Sequence, residues 1–340
     1  MGVDLSPIIG DNKKSITLDT LNNKKLSIDG YNALYQFITI IRGEDGSPLM
    51  DSKGLITSHL SGLFYRTVNL LEKGIKPVYV FDGTPPELKA KEISERKMTR
   101  DGALKLYEEA KVQGNQELMR RYSVRAATLK SYMVNDAKTL LTLMGIPWVQ
   151  APSEGEAQAA YLAAKGYTWG SVSQDYDSLL FGSPRLLRNI TVSGKRKLPG
   201  KNFYIDVSPE IVETEEVFSK LGITREQLVD ISIIIGTDFN EGIKGIGPKT
   251  ALKLVKQYGS LENIKDINSM ISDDLISQVR NIFLKPNVID IEKLEWKNPD
   301  QEGIISFLCS EKNFSEERIK NAINRLKKRP ASGALDEWFS

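Results

Sequence analysis

The stretch Pro77-Val78-Tyr79-Val80-Phe81-Asp82-Gly83 decides the fold. It is short, apolar, rich in β-formers and ends on an acid followed by glycine, the pattern of a buried strand running into a turn. Lys25-Leu26-Ser27-Ile28-Asp29-Gly30 repeats that form. Residues 147–150, 170–173 and 186–190 read as further short strands, and helical patterns separate them. Strand alternating with helix predicts an α/β fold with a mostly parallel central sheet flanked by helices.

In such sheets ligands bind outside the carboxyl ends of the strands, so Asp29 and Asp82 should face one crevice. Either could equally be an N-cap or turn residue, because Asp-Gly is common in turns. Asp175-Tyr176-Asp177 follows the strand near residue 173. If the chain is still extended there, both carboxylates share a face, repel each other and call for a cation; a solvated loop is the plainer alternative. Glu154 and Glu156 lie in Pro152-Ser153-Glu154-Gly155-Glu156, where Ser153 and Glu156 have the spacing of a capping box. Asp238 follows an apolar helix and a glycine, the place of an ordinary turn residue. Singly each acid is weak evidence. Together, several strand ends bring acids to one edge, where two divalent ions could clamp both oxygens of a phosphodiester displacement. Magnesium suits an all-oxygen site, with manganese as a substitute.

The rest of the composition narrows the chemistry. The 340 residues hold one cysteine, Cys309, and one histidine, His59, so an intramolecular disulfide and the usual Cys/His zinc sites are excluded. Cys309 lies in an apolar run and is expected to be buried. The net charge is only +2, so any nucleic-acid surface must come from local segregation of charge. One such segregation is the helical region 87–144, interrupted by Gly102 and Gly114 and rich in lysine and arginine. It is too long for a crossover helix, so part of it should project, whether as a functional element or as a solvated hairpin.

Gly242-Ile243-Lys244-Gly245-Ile246-Gly247-Pro248-Lys249-Thr250 ends like a phosphate-binding loop, but Pro248 breaks the Gly-Lys-Thr core and a helix precedes it. A helix-hairpin-helix fits better. Gly245 and Gly247 would let backbone N–H groups approach a phosphate, and Lys249, Lys253 and Lys256 share one face of the next helix. A plain glycine-rich turn is the alternative.

Assembled, these residues resemble the flap endonuclease family, the structure-specific 5′ nucleases of replication and repair. The resemblance covers nearly the whole chain. It rests on Ile28-Asp29-Gly30, Val80-Phe81-Asp82-Gly83 with Pro85-Pro86, Pro152-Ser153-Glu154-Gly155-Glu156-Ala157, Gln174-Asp175-Tyr176-Asp177 with Phe181-Gly182, and Gly236-Thr237-Asp238 ahead of Gly245-Ile246-Gly247-Pro248-Lys249. It implies a magnesium-dependent endonuclease and 5′-3′ exonuclease acting on branched DNA with a 5′ flap. All seven acids would form a two-metal site, and Lys89 and Arg96 would neutralise the scissile phosphate. Tyr35 would stack on the terminal base, Gly2 would sit beside the site, and Arg125 would lie on a helical arch that admits the flap. The hairpin would grip the downstream duplex and hold a potassium ion through backbone oxygens.

The resemblance divides the chain into an N-terminal nuclease region (1–105), a helical arch (106–145), an internal nuclease region (146–235), the hairpin with C-terminal helices (236–328) and a tail (329–340). Helices are expected to continue to about Lys328. The tail is similar to a sliding-clamp binding box, with Leu335, Trp338 and Phe339 as the plug for the proliferating cell nuclear antigen. The family usually has glutamine three residues before the leucine, where this chain has Ser332. The absence of a long basic tail points to an archaeal source. No apolar run approaches the roughly 20 residues of a membrane span, and the start lacks the pattern of a secretory signal, so a cytoplasmic protein is expected, nuclear if the source is eukaryotic, and monomeric alone.

Overall fold

The computed structural model describes residues 2–43, 46–191, 194–197, 204–264, 267 and 270–327, with backbone alone for 194–197, 204–206 and 327. Leu335, Trp338 and Phe339, and with them the clamp-binding reading, lie outside the described residues.

The described strands are β1 (Lys13–Ser15), β2 (Lys25–Asp29), β3 (Lys76–Phe81), β4 (Trp148–Gln150), β5 (Gly170–Val172), β6 (Arg185–Arg188), β7 (Gly194–Lys197), β8 (Tyr204–Val207) and β9 (Glu210–Glu213). Seven of them form one sheet in the order β1-β9-β6-β5-β2-β3-β4, while β7 and β8 pair separately. Pairing is parallel from β6 through β5, β2 and β3 to β4, and antiparallel at β6–β9 and β9–β1. The expected mostly parallel sheet is present. Its antiparallel margin, β1 with β9, carries short polar-edged strands that sequence pattern alone did not separate from loops.

Leu26, Ile28, Tyr79 and Phe81 are essentially without exposure and pack with Phe37, Leu60, Phe64 and Leu140 on one face. A second cluster, including Tyr176, Leu186, Val212, Leu228, Val255 and Phe283, fills the C-terminal half. Strands covered on both faces must be apolar throughout, which is why β3 reads as an unbroken apolar run. The chain goes from β2 outward to β3 and β4, then returns to the other side of β2 as β5. The sheet order therefore reverses between β2 and β5, the switch point where open sheets leave a crevice at their carboxyl ends.

The helices that matter for the crevice are α1 (Gly30–Ile40), α2 (Ala90–Val112), α3 (Gln116–Arg125), α4 (Gly155–Ala164), α5 (Arg225–Ile235) and α6 (Pro248–Tyr258). Helix α2 runs through Gly102 without a break, contrary to expectation; one glycine costs a 23-residue helix only about 1 kcal/mol relative to alanine. Gly114, at φ +66°, does end the run. Helices α2 and α3 pack on each other, burying only Ala103 and Ala110 of α2 and nothing of α3, so this pair is the projecting element. Helix Ser131–Leu143 instead buries Met133, Val134, Ala137, Leu140 and Leu141 in the main body.

Helices do not continue unbroken to residue 328. Residues 286–300, which include Pro286 and Pro299, form neither helix nor strand. The segment is tied to the body by hydrogen bonds. Gln158 donates to the Ile289 carbonyl (2.8 Å) and accepts from its N–H (2.9 Å), the Trp296 indole donates to the Pro77 carbonyl (3.0 Å), and Lys297 N–H reaches the Gly145 carbonyl (2.9 Å). Among the described residues no helix is long and apolar enough to cross a membrane.

Candidate active site

The carboxyl ends of the parallel strands bring six of the proposed acids together, and α5 adds the seventh. Asp29 is the last residue of β2 and also the N-cap of α1, its carboxylate accepting from Asn32 N–H at 2.9 Å. Capping and an acid at the crevice are here the same residue. Asp82 follows β3 directly and accepts from Gly155 N–H at 2.7 Å, at the positive N-terminus of α4. A Cβ at Gly155 would stand 2.5 Å from Asp82 Oδ1, so any larger residue there would displace that carboxylate.

The expected capping box at Ser153 and Glu156 does not form. The N-cap is Glu154, with no side-chain cap. Glu156 turns inward and accepts from the Ser178 N–H (3.0 Å) and hydroxyl (2.9 Å), so it caps the short helix Asp177–Leu180 across the crevice. The condition that Asp175-Tyr176-Asp177 stays extended is not met either. Tyr176 is helical at φ −84°, and Asp177 opens that short helix. A turn held by Asp175 N–H on Ser173 Oγ (3.1 Å) brings the two acids together instead of a shared strand face. Arg188 holds the same turn, donating to the Gln174 carbonyl at 3.2 Å and the Tyr176 hydroxyl at 2.9 Å.

Burial and mutual repulsion both act on the cluster. Burial, then the charge of Glu154, push Asp82 up to about 6. Burial, then Asp175 and Asp238 against the helping Val3 N–H, push Asp177 up to about 7. Asp29 and Glu156 are held well above the usual carboxylate range by burial, with Asp82 and Asp177 as the largest neighbouring charges. Asp175 is raised by burial as well.

Two cations answer part of this charge. Lys89 Nζ lies 2.5 Å from Glu154 and 3.4 Å from Asp238, and Arg96 lies 3.0 Å from Asp238 while also pairing with Glu92. Burial works against the Lys89 ammonium, but the surrounding carboxylates outweigh it and hold it above its ordinary value. Gly2 sits beside the acids, as expected: a Cβ there would meet Asp177 Oδ1 at 2.5 Å, and Val3 N–H donates to that oxygen at 2.8 Å.

Among the described residues, no group of three or more such side chains is disposed as it stands to hold one metal ion. Internal donors explain this, since Lys89, Arg96, Asn32, Gly155 and Val3 each engage a carboxylate. The donor chemistry nonetheless suits a hard divalent cation. The set is all carboxylate, and burial, with neighbouring carboxylates adding to it, keeps Asp82 and Asp177 raised even with Lys89 close by.

The remaining candidates are arranged around this edge. On α1, Tyr31, Asn32, Tyr35, Gln36 and Thr39 form the half-exposed stripe opposite buried Ala33, Leu34, Phe37 and Ile38. The Arg100 guanidinium of α2 lies 5.8 Å from the Tyr35 ring centre. Arg125 is exposed at the end of α3. Helices α5 and α6 flank the hairpin, with Gly245 at φ +90° and open space around Gly245 and Gly247. Lys249, Lys253 and Lys256 are exposed on α6, though Lys256 donates to the Leu221 carbonyl at 2.7 Å. Sequence reading missed Asn32, Gln36 and Arg188; for the first two, the i,i+4 spacing on the helix that follows Asp29 was the available signal. Cys309 is half-buried instead of buried. His59 is fully buried beside Asp136 at 3.8 Å, away from the acids.

Comparison with known proteins agrees with this arrangement. Residues 1–103 match the XPG N-terminal domain and residues 145–238 the XPG I-region. The chain is 55% identical to flap endonuclease 1 of Staphylothermus marinus, over 100% of both chains. It is 54% identical to flap endonuclease 1 of Pyrococcus furiosus, over 100% of this chain and 99% of that one. The chain belongs to the flap endonuclease family. Flap endonucleases of this family are metal-dependent DNA nucleases, which is the class the acid cluster indicates. Among solved structures, flap endonuclease-1 from Methanococcus jannaschii superposes with a TM-score of 0.73 at 43% identity, covering 94% of this chain and 96% of that one. The catalytic core of Rad2 in complex with DNA substrate gives a TM-score of 0.73 at 26% identity, covering 96% and 100%.

Proposed function

We propose that this flap endonuclease hydrolyses a phosphodiester at the junction of single- and double-stranded DNA beneath a 5′ flap, with a 5′-3′ exonuclease activity at the same site. The observation that carries the reading is the convergence of Asp29, Asp82, Glu154, Glu156, Asp175, Asp177 and Asp238 on one sheet edge beside Lys89 and Arg96. The acids would hold two magnesium ions, with manganese able to substitute. Such ions supply Lewis-acid activation of water and charge neutralisation at the phosphate.

The protein's own part is to place the strand. Lys89 and Arg96, now paired with acids, exchange those partners for the scissile phosphate. Tyr35 offers its ring to the terminal base. Gly2, packed against Asp177, brings the N-terminal segment beside the substrate backbone. The projecting pair α2 and α3, with Arg125, receives the single-stranded flap. The hairpin grips the downstream duplex through Gly245, Gly247, Lys249, Lys253 and Lys256, and potassium is the monovalent ion its carbonyls would take. Okazaki fragment maturation and base excision repair are the processes that present such junctions. The tail would reach the sliding clamp through Leu335, Trp338 and Phe339.

The test is cleavage of an end-labelled 5′ flap with and without magnesium. Asp82→Ala and Asp177→Ala should each abolish cleavage while flap binding, followed by gel shift, survives. Full activity in either variant would sink the assignment. Parallel assays on bubble and gapped duplex substrates separate this enzyme from a repair bubble endonuclease or a processive exonuclease. A chain that binds junctions but cuts none of them would instead be a clamp adaptor.

A further inference from the structure

Helix α1 joins the two halves of the acid cluster. It is capped by Asp29 at the end of β2 and packs on β2 and β3, while Asp175 follows β5 on the other side of β2. Asn32 in its first turn touches both sides. Its backbone N–H donates to Asp29 Oδ1 at 2.9 Å, and its side-chain Nδ2 donates to Asp175 Oδ2 at 3.1 Å. One turn later Gln36 Nε2 donates to Asn32 Oδ1 at 2.6 Å. Thr191, in the segment after β6, lies with its hydroxyl 3.3 Å from Gln36 Oε1.

Chemistry fixes the direction of this chain. A carboxylate only accepts, so the Asn32 amide must present its NH2 to Asp175 and its oxygen to Gln36. Gln36 must then present its NH2 to Asn32 and its oxygen to Thr191. The Thr191 hydroxyl is left to donate. Thr191 orients Gln36 and Gln36 orients Asn32, so the donors run in one direction along the line and its last donor, Asn32 Nδ2, reaches Asp175. The groups are part-buried, where a directed donor restrains a carboxylate more effectively than water does.

We propose that Asn32, Gln36 and Thr191 form a positioning relay that sets the rotamer of Asp175 relative to Asp29, and so shapes the half of the site toward β5 for a divalent ion. The inference rests on the reading of the acids as metal ligands. Residues behind metal-ligating side chains typically contribute about 10–100-fold to ion affinity. Coupled members of one network give non-additive effects.

The experiment measures manganese binding to the full chain without DNA, by the loss of the free-ion signal in electron paramagnetic resonance, alongside flap cleavage at varied manganese. Asn32→Leu removes the donor at similar volume and should weaken binding about tenfold or more, with the lost cleavage rate recovering at high manganese. Gln36→Leu and Thr191→Val, which touch no acid, should weaken it by smaller factors. Adding Thr191→Val to Asn32→Leu should cost nothing further. Thermal unfolding checks that each variant is folded, and the two distant substitutions keep the test open if Asn32→Leu is not. Wild-type ion affinity in folded Asn32→Leu, or in both distant variants, overturns the relay, as does a Thr191→Val effect that adds in full. If the unaltered chain binds no manganese, it is the metal-site reading that fails, and the two failures are distinguishable.

Discussion

Gly2 carries a sharp consequence at the level of single residues. Its missing side chain is what lets the N-terminal segment lie against Asp177 and Asp175. Gly2→Val has no space to enter without moving those acids. It should lower single-turnover flap cleavage by about 100-fold, the usual cost of displacing catalytic groups by about 1 Å, while gel-shift affinity for the flap stays near the unaltered value. Unchanged cleavage would mean that the segment is free to withdraw. Glu156 makes the complementary point. Its spacing from Ser153 predicted a local cap, and the carboxylate went to Ser178 instead. Local propensity offers the side chain one partner, and the sheet edge brings a better one from 22 positions away.

Among the elements, the hairpin between α5 and α6 was readable because Gly245 takes a left-handed φ of +90° and Pro248 suits the first turn of a helix. It makes a duplex grip testable without reference to cleavage. Lys249→Ala with Lys253→Ala should flatten the dependence of log affinity on log salt by about 0.9 per lost phosphate contact, with flap and plain duplex weakened alike. A slope that does not move would remove these lysines from the interface. Lys256 should contribute less, since it is tied to the Leu221 carbonyl. Truncation after Arg329 tests the tail: basal cleavage should persist, and stimulation by the clamp should vanish. The projecting pair α2 and α3 was legible as a surplus of helix, but its limits were not. The basic pattern runs on past residue 125, and only packing separates the exposed pair from the helix Ser131–Leu143.

For the whole molecule, the C-terminal helices are bound to α5 by a charge network in which Asp230 is buried and Glu262 exposed. Arg280 pairs with Asp230 at 2.6 Å and also with Glu262. Arg280 is the main cause that holds Glu262 down at about 2, below its ordinary 4.5. A depressed carboxylate stabilises the fold above its unfolded pKa and loses that contribution as pH falls through the folded one. Glu262→Gln should therefore cost roughly 0.5–1 kcal/mol near neutral pH, a value kept small because the glutamate is partly exposed. The difference from the unaltered chain should shrink between pH 4.5 and 2. Chemical denaturation at several pH values checks this, and a gap that stays constant with pH would contradict it.

The sequence by itself determined the parallel strands, their acid-bearing ends and the hairpin, because burial on both faces and glycine geometry leave marks in neighbouring residues. Asp29, Asp82, Asp175 and Asp177 could be proposed from strand-end position and spacing. Tertiary structure decided what depends on distant partners. It set the turn that joins Asp175 to Asp177, the inward course of Glu156, the antiparallel margin of β1 and β9, and the irregular segment 286–300. It also placed Asn32, whose two acids come from strands that are neighbours only because the sheet reverses between β2 and β5. A strand end is a local event, whereas which ends meet is fixed by the order in which the strands pack.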